Sequence, residues 1–214
     1  MPKGSKNMKH IKKITAMILV LAMTFALAGC GNESGKLVGK WGMEYDMHDA
    51  VLEEMGDEFA DFKSSLVVTI FFDFKEDGTL EMSVDEAEFA DHYAEWLDDF
   101  ADYAANYIYD SNPNYSKEDI DSVYAPSVKE YIKSMMEEQV KAEDITSEMH
   151  ATGVYKARNG KIFISQDDSV DETSYDLYTI SGDTLTFELP KNAETDEDSI
   201  LPGMEYPLVF TRVK

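Results

Sequence analysis

Leu66, Val68, Ile70, Phe72 and Phe74 share one face of a period-2 pattern, the signature of a strand with one buried side. Asp77-Gly78 then turns the chain into Leu80, Met82 and Val84, which makes a hairpin. Residues 153–158 and 161–166 flank Asn159-Gly160, a pair that supplies the positive φ a type I′ turn requires at both central positions. A third hairpin joins 175–180 to 184–189 across Ser181-Gly182-Asp183, with Leu185, Phe187 and Leu189 alternating against Thr186 and Glu188. Strands over 37–45 and 205–213 open and close the set.

Eight sequential antiparallel strands joined mostly by short links predict a mainly β fold with helical insertions, an eight-stranded up-and-down barrel. Closure is favoured because it removes the two edges an open sheet must protect. Such an interior is either filled or holds one small ligand. If the strands alternate in direction, the three tight turns lie at one end. The long links 46–65, 85–152, 167–174 and 190–204 then collect at the other, which is the expected functional mouth.

Two of the long links read as helical. Met47, Val51, Leu52, Met55, Phe59 and Phe62 recur at helical spacing, with Glu53, Glu54, Asp57 and Glu58 opposite. Between strands 3 and 4, Phe89, Tyr93, Trp96, Leu97, Phe100, Tyr103, Ala104, Tyr107 and Ile108 form a stripe that stops before Asn112-Pro113. Ser116 with Glu118 and Asp119 reads as a capped helix start. Pro126 restarts a helix carrying Val128, Tyr131, Ile132, Met135, Met136 and Val140. This insert, 85–152, is placed to form a lid. Its stripes serve either as ordinary core or as an aromatic-lined pocket, whose candidate ligand contacts are Tyr93, Trp96, Phe100, Tyr131 and Met135.

The N-terminus carries a different pattern. Lys3, Lys6, Lys9, His10, Lys12 and Lys13 precede an apolar run over 14–26, which ends in Leu27-Ala28-Gly29-Cys30. This is a bacterial lipobox, and the run is shorter than the roughly 20 residues a spanning helix needs. The division expected is a signal peptide over 1–29, a lipidated tether over 30–36 and a barrel domain over 37–214. The mature chain is then extracytoplasmic, anchored to the cell membrane by a lipid on Cys30.

Cleavage sharpens the charge. The signal takes five lysines and no acid, so 14 basic and 43 acidic residues remain, a net of −29. Such a surface excludes nucleic-acid binding, which needs basic patches. Cys30 is the only cysteine, so neither disulfides nor thiolate metal sites are expected. The orientation follows from the alternation of strands: the lipid holds the closed end toward the membrane, and the acidic body favours standing off from an anionic surface.

No catalytic constellation is expected. The mature histidines, His48, His92 and His150, sit in no H-x-x-x-H or similar spacing. The acidic runs 167–172 and 194–198 lack the EF-hand spacing and its central glycine, and read as solvated loops rather than calcium sites. No metal and no cofactor is therefore assigned.

Gly39-Lys40-Trp41 on the first strand resembles the G-x-W signature of lipocalins, and Arg212 on the last strand resembles the arginine that packs over that tryptophan. The segments F-D-F-K-E-D-G-T (72–79), Y-T-I-S-G-D-T-L (178–185) and the terminal Phe210 and Arg212 resemble the shorter lipocalin-like, calycin-type domains common on lipoproteins of Gram-positive bacteria. The T-D-Y motif is missing, the insert replaces a simple loop, and no helix follows the last strand. The resemblance implies a barrel with Gly39, Trp41 and Arg212 as fold determinants. The expected function is binding of a small apolar or sugar-like ligand at the loop-rich end, for which a cavity above about 300 Å³ is the usual size. The alternative is a filled barrel whose acidic insert docks a cationic protein or cell-wall component.

Overall fold

A computed structural model describes residues 33–55, 59–166, 169–170, 172–190 and 204–214. Eight antiparallel strands close into one barrel in chain order: β1 (Gly39–Asp46), β2 (Val67–Phe74), β3 (Thr79–Val84), β4 (Ala151–Arg158), β5 (Lys161–Ser165), β6 (Asp176–Ser181), β7 (Thr184–Glu188) and β8 (Leu208–Arg212). The first and last strands meet through Trp41↔Arg212 and Gly42↔Thr211, so no sheet edge is left open. The expected barrel and its three hairpins are present. Their turns hold positive φ at Gly78 (87°), Asn159 (54°), Gly160 (70°) and Gly182 (61°), which is why glycine and asparagine stand there.

Strand β1 pairs with β2 from Gly39↔Phe74 to Asp46↔Val67, so β1 starts at the tight-turn end and runs to the loop-rich end. The closed half of the interior is filled. Phe72 stacks on Phe210 at 5.1 Å between ring centroids, Phe187 lies 5.4 Å from Phe210, and Phe74 meets Tyr155 edge-on at 4.9 Å. Each of these rings except Tyr155 is at most 1% exposed. Full burial of one such side chain stabilises by about 1.5–3 kcal/mol, so this cluster is a principal source of barrel stability.

The segment preceding β1 differs from a plain tether. Residues Glu33–Leu37 form a short helix, α1, under the closed end. Ser34 Oγ donates to the Ala157 carbonyl (3.3 Å), and Trp41 Nε1 donates to the Leu37 carbonyl (2.6 Å). Leu37 is fully buried and part of the core, as expected of the first residue of the barrel domain. A five-residue helix containing glycine has little intrinsic propensity, and its tertiary contacts hold it in place.

At the loop-rich end, α2 (His48–Met55) follows β1, and the insert contributes α3 (Glu86–Ser111), α4 (Lys117–Asp121), α5 (Val128–Gln139) and α6 (Ala142–Glu148). Asp85 caps α3 by accepting from Glu88 N. Ser116 and Asp119 form a reciprocal capping box at α4. Ser127, next to Pro126, caps α5. Helix α6 has no counterpart in the sequence reading, since A-E-D-I-T-S-E carries too few apolar residues to make a stripe.

The Asp85 amide donates to the Thr69 carbonyl, which extends the β2–β3 pairing up to the first turn of α3. Thr69 Oγ1 donates to Glu88 Oε2 (2.6 Å), and His92 Nδ1 lies 3.0 Å from the Val67 carbonyl, fixing the first turns of α3 against the start of β2. Helix α5 packs along α3, with Lys129 and Lys133 both on Asp98 (3.0 and 3.1 Å).

Candidate ligand site at the open end of the barrel

A cavity of about 190 Å³ lies between β3, β4, β5 and the β5–β6 link. Phe72, Leu80, Met82, Ala151 and Ile164 supply its apolar wall, and Thr152, Ser165, Gln166 and Ser174 its polar rim. Two features of the strands create the space. Register pairs Leu80 with Gly153 and Met82 with Ala151, so β4 presents two of the smallest residues where a barrel of this width needs large ones to fill it. Gly153 also admits a close approach of backbone: a Cβ there would stand 2.4 Å from the Ser165 carbonyl oxygen, so any other residue would push β5 outward. The pairing described between β5 and β6 is Lys161↔Leu177 and Ile162↔Asp176, at the closed-end side of the seam.

One side of the cavity is open to solvent, and the volume is modest. It falls below the expected 300 Å³, and is close to that of the engineered apolar cavity of about 150 Å³ that takes benzene. A single ring or a short branched alkyl group fits such a space.

The residues singled out from the insert lie elsewhere. Phe89, Tyr93, Trp96 and Phe100 form one continuous ladder along α3, with stacked neighbours at 6.1, 6.1 and 5.4 Å. All four are at most 7% exposed. Phe62 closes over the ladder edge-on to Trp96 (5.8 Å) and Phe100 (5.5 Å). The Tyr93 hydroxyl donates to the Val140 carbonyl (2.9 Å), and burial raises its pKa. Tyr131 and Met135 point the other way, 48% and 38% exposed on the outer face of α5, where Tyr131 meets Tyr124 at 5.2 Å. None of these five residues lines the barrel cavity, and the structure does not bring the two groups together.

The polar candidates are likewise dispersed. His48 Nδ1 is 2.8 Å from the Ser64 carbonyl, and His150 Nε2 is 3.0 Å from Glu86 Oε1, while His92 holds β2 as described. Asp46 ties the loop after β1 to β2 by accepting from His48 N and Leu66 N (both 3.0 Å). Burial opposes ionisation of its carboxyl, but a bond from Ser65 and these two amides together keep its pKa below the ordinary value. Asp176 is fully buried and accepts from the Tyr206 hydroxyl (2.6 Å), which pins the segment before β8 to β6. Among the described residues no group of three or more His, Cys, Asp or Glu side chains is arranged to hold a metal. The run 194–198 and half of 167–172 lie outside the described residues. Glu172, which is described, pairs with Lys156 and Arg158.

At the closed end, the sequence reading and the geometry coincide. The Arg212 guanidinium lies 3.9 Å from the Trp41 ring, and its two terminal nitrogens donate to the Val38 (2.9 Å) and Lys36 (3.0 Å) carbonyls. Gly39 has φ of 119°, and a Cβ there would stand 2.8 Å from Arg212 Nη1. Gly39, Trp41 and Arg212 are thus one structural unit. No family model matches the chain, and neither a curated protein nor a solved structure matches it. The closed eight-stranded barrel and this closed-end unit are consistent with a lipocalin-like fold. Cys30 and the signal peptide expected over 1–29 lie outside the described residues, among which no helix is long and apolar enough to cross a membrane.

The cavity residues Met82, Ala151, Gly153 and Ile164 were missed by reading aromatic stripes. A usable signal was present: Ala151 and Gly153 occupy successive inward positions at the start of strand 4, opposite Leu80 and Met82.

Proposed function

We propose that the protein is an extracytoplasmic lipoprotein, anchored by a lipid on Cys30, whose lipocalin-like barrel binds a small apolar group at its loop-rich end. The observation that carries the binding reading is the cavity of about 190 Å³ with an apolar wall and a polar rim. A single ring or a short alkyl end fits the space, and the open side lets the rest of a larger ligand lie outside it. No catalytic role is assigned to it.

Two measurements test the parts separately. Intact mass of membrane-extracted protein reads the lipid, and an unmodified Cys30 ends the anchoring proposal. Chemical-shift titration of the 31–214 fragment with benzene and toluene reads the cavity. Shifts should localise to Met82, Ala151 and Ile164, and Ala151→Leu should abolish them by filling the space. Absence of shifts in the unsubstituted protein would sink the binding reading.

One observation favours a second reading, in which the insert docks a cationic partner. Residues 85–152 hold 18 acids and four lysines, and each lysine is already engaged. Lys129 and Lys133 meet Asp98, Lys141 meets Glu143, and Lys117 lies over Tyr109. The same insert exposes Tyr107, Tyr115 and Tyr131, and surplus carboxylates with exposed rings suit a lysine- or arginine-rich polypeptide.

A further inference from the structure

The acidity of the chain is not spread evenly along the barrel axis. The segments that make the closed end, 33–40, 73–79, 155–162, 179–185 and 211–214, contain eight basic residues against five acidic ones. The mature chain as a whole has 14 against 43. The pairing pattern accentuates the difference. Lys75 is bonded to Glu81, Lys214 to Asp183, and Lys156 and Arg158 to Glu172. Among the described residues, Lys36, Lys40 and Lys161 meet no carboxylate. Lys40 and Lys161 lie instead over the rings of Phe71 (3.8 Å) and Tyr175 (3.7 Å). Val213, 43% exposed, adds apolar surface beside them, its amide bonded to the Lys40 carbonyl (2.9 Å).

Chain length sets how far this end can stand from a bilayer. A tether over 30–36 would allow about 25 Å at 3.3–3.6 Å per residue. Helix α1 shortens it, because the backbone from Ser34 to Val38 is held on the barrel by Ser34, Trp41 and Arg212. Only three steps of chain separate Cys30 from Glu33, a span of at most about 11 Å. That is comparable with the Debye length of about 8 Å at physiological salt, so exposed lysines at this end feel the headgroups. The acidic insert lies at the far end of eight-residue strands, roughly 20 Å or more away, where its repulsion is screened.

We propose that the closed end of the barrel is a membrane-seating surface, in which Lys36, Lys40 and Lys161 rest on the anionic headgroups of the bilayer that holds the lipid. The inference depends on lipidation of Cys30, the anchoring part of the function proposed above. It replaces the standing-off expected from net charge alone with direct contact. The cavity and the acidic insert then face away from the membrane.

The experiment uses the full lipidated protein. Cys30 is the only cysteine, so a lipidated chain takes a thiol-reactive fluorophore only at an introduced site. Ser181→Cys places the label at the β6–β7 turn of the closed end, and Asn114→Cys places it at the tip of the insert. Both positions are exposed. Each is reconstituted into phosphatidylcholine vesicles with and without phosphatidylglycerol, and quenching by a headgroup-linked lipid quencher is measured. Strong quenching at Ser181→Cys and little at Asn114→Cys is expected, with the contrast rising with phosphatidylglycerol and falling with salt. Combining Lys36→Gln, Lys40→Gln and Lys161→Gln should lower the seated population by about fivefold per lysine removed, while Trp41 fluorescence stays unchanged. Equal quenching at both sites, stronger quenching at Asn114→Cys, or indifference to phosphatidylglycerol overturns the seating proposal while lipidation stands. An intact mass without lipid on Cys30 overturns both.

Discussion

At the closed end, Arg212 reaches the carbonyls of Val38 and Lys36 across 174 and 176 residues of sequence. At the open end, the ladder from Phe89 to Phe100 lies within a single helix, and its caps join residues three apart. One end thus ties the last strand to the segment before the first strand and forms only when the whole barrel has closed. The other is assembled mostly from near neighbours and docks on the sheet through β2. Sequence separation of this kind distinguishes structure lost only in global unfolding from structure that opens locally. The chain's two tryptophans allow the distinction to be read directly, since Trp41 reports the closed end and Trp96 the insert.

The largest effect is expected from Phe210→Ala. Its fully buried ring joins β8 to β2 through Phe72 and to β7 through Phe187, and truncating such a ring costs about 3–5 kcal/mol. In urea, Trp41 and Trp96 signals should be lost in one coincident transition at lower concentration, because the insert has no barrel to dock on. Phe100→Ala falls nearer the lower end of the same range, since Phe59, Phe62 and Tyr103 crowd the site and can partly collapse into it. Here the Trp96 transition should precede that of Trp41. Coincident transitions in both variants would show that the ends form one cooperative unit, and the distinction between them would fall.

Arg212→Ala comes next, at about 2 kcal/mol for the stacking on Trp41 and two charge-assisted bonds. Its signature is local: α1 should lose its hold, with faster amide exchange over 33–38 and a shifted Trp41 emission. Arg212→Lys should rescue little, because an ammonium cannot stack flat on the indole and reach two carbonyls at once. Full rescue by lysine would reduce the unit to simple charge.

What the sequence disclosed divides along the same line. The hairpins were legible because Asp77-Gly78, Asn159-Gly160 and Gly182 encode their turns locally, and Trp41 with Arg212 could be paired because strand alternation places both at one end. Helix α1 was not legible, since Glu33–Leu37 becomes helical only through bonds to residues far along the chain. The stripe on α5 was too broad a guide. Val128 and Ile132 are buried four residues apart, and that leaves Tyr131 and Met135 to solvent. The cavity escaped notice because it is marked by small residues, Ala151 and Gly153, whose meaning depends on which large ones they face.

The smallest effect separates the insert from the barrel by pH. The Tyr109 hydroxyl donates to Asp121 Oδ1 (2.6 Å), and the same carboxylate accepts from Val128 N (3.0 Å), joining α3, α4 and the start of α5. The bond to Asp121 pushes the Tyr109 pKa from 10.0 up to about 12, and Tyr109, followed by the Val128 amide, holds the Asp121 pKa below 3.8. The phenol's contribution is therefore complete below pH 10 and disappears as pH rises through about 12. That of the carboxylate is complete above its unfolded pKa and disappears as pH falls through the lower folded value. Tyr109→Phe should remove the alkaline limb and shrink the acid limb, leaving the part supplied by the Val128 amide and the Lys117 charge. The change should appear in Trp96 emission with Trp41 unaffected, because no group of the closed end takes part in this bond. A matching shift in the Trp41 signal would mean that the insert's electrostatics reach the far end of the barrel.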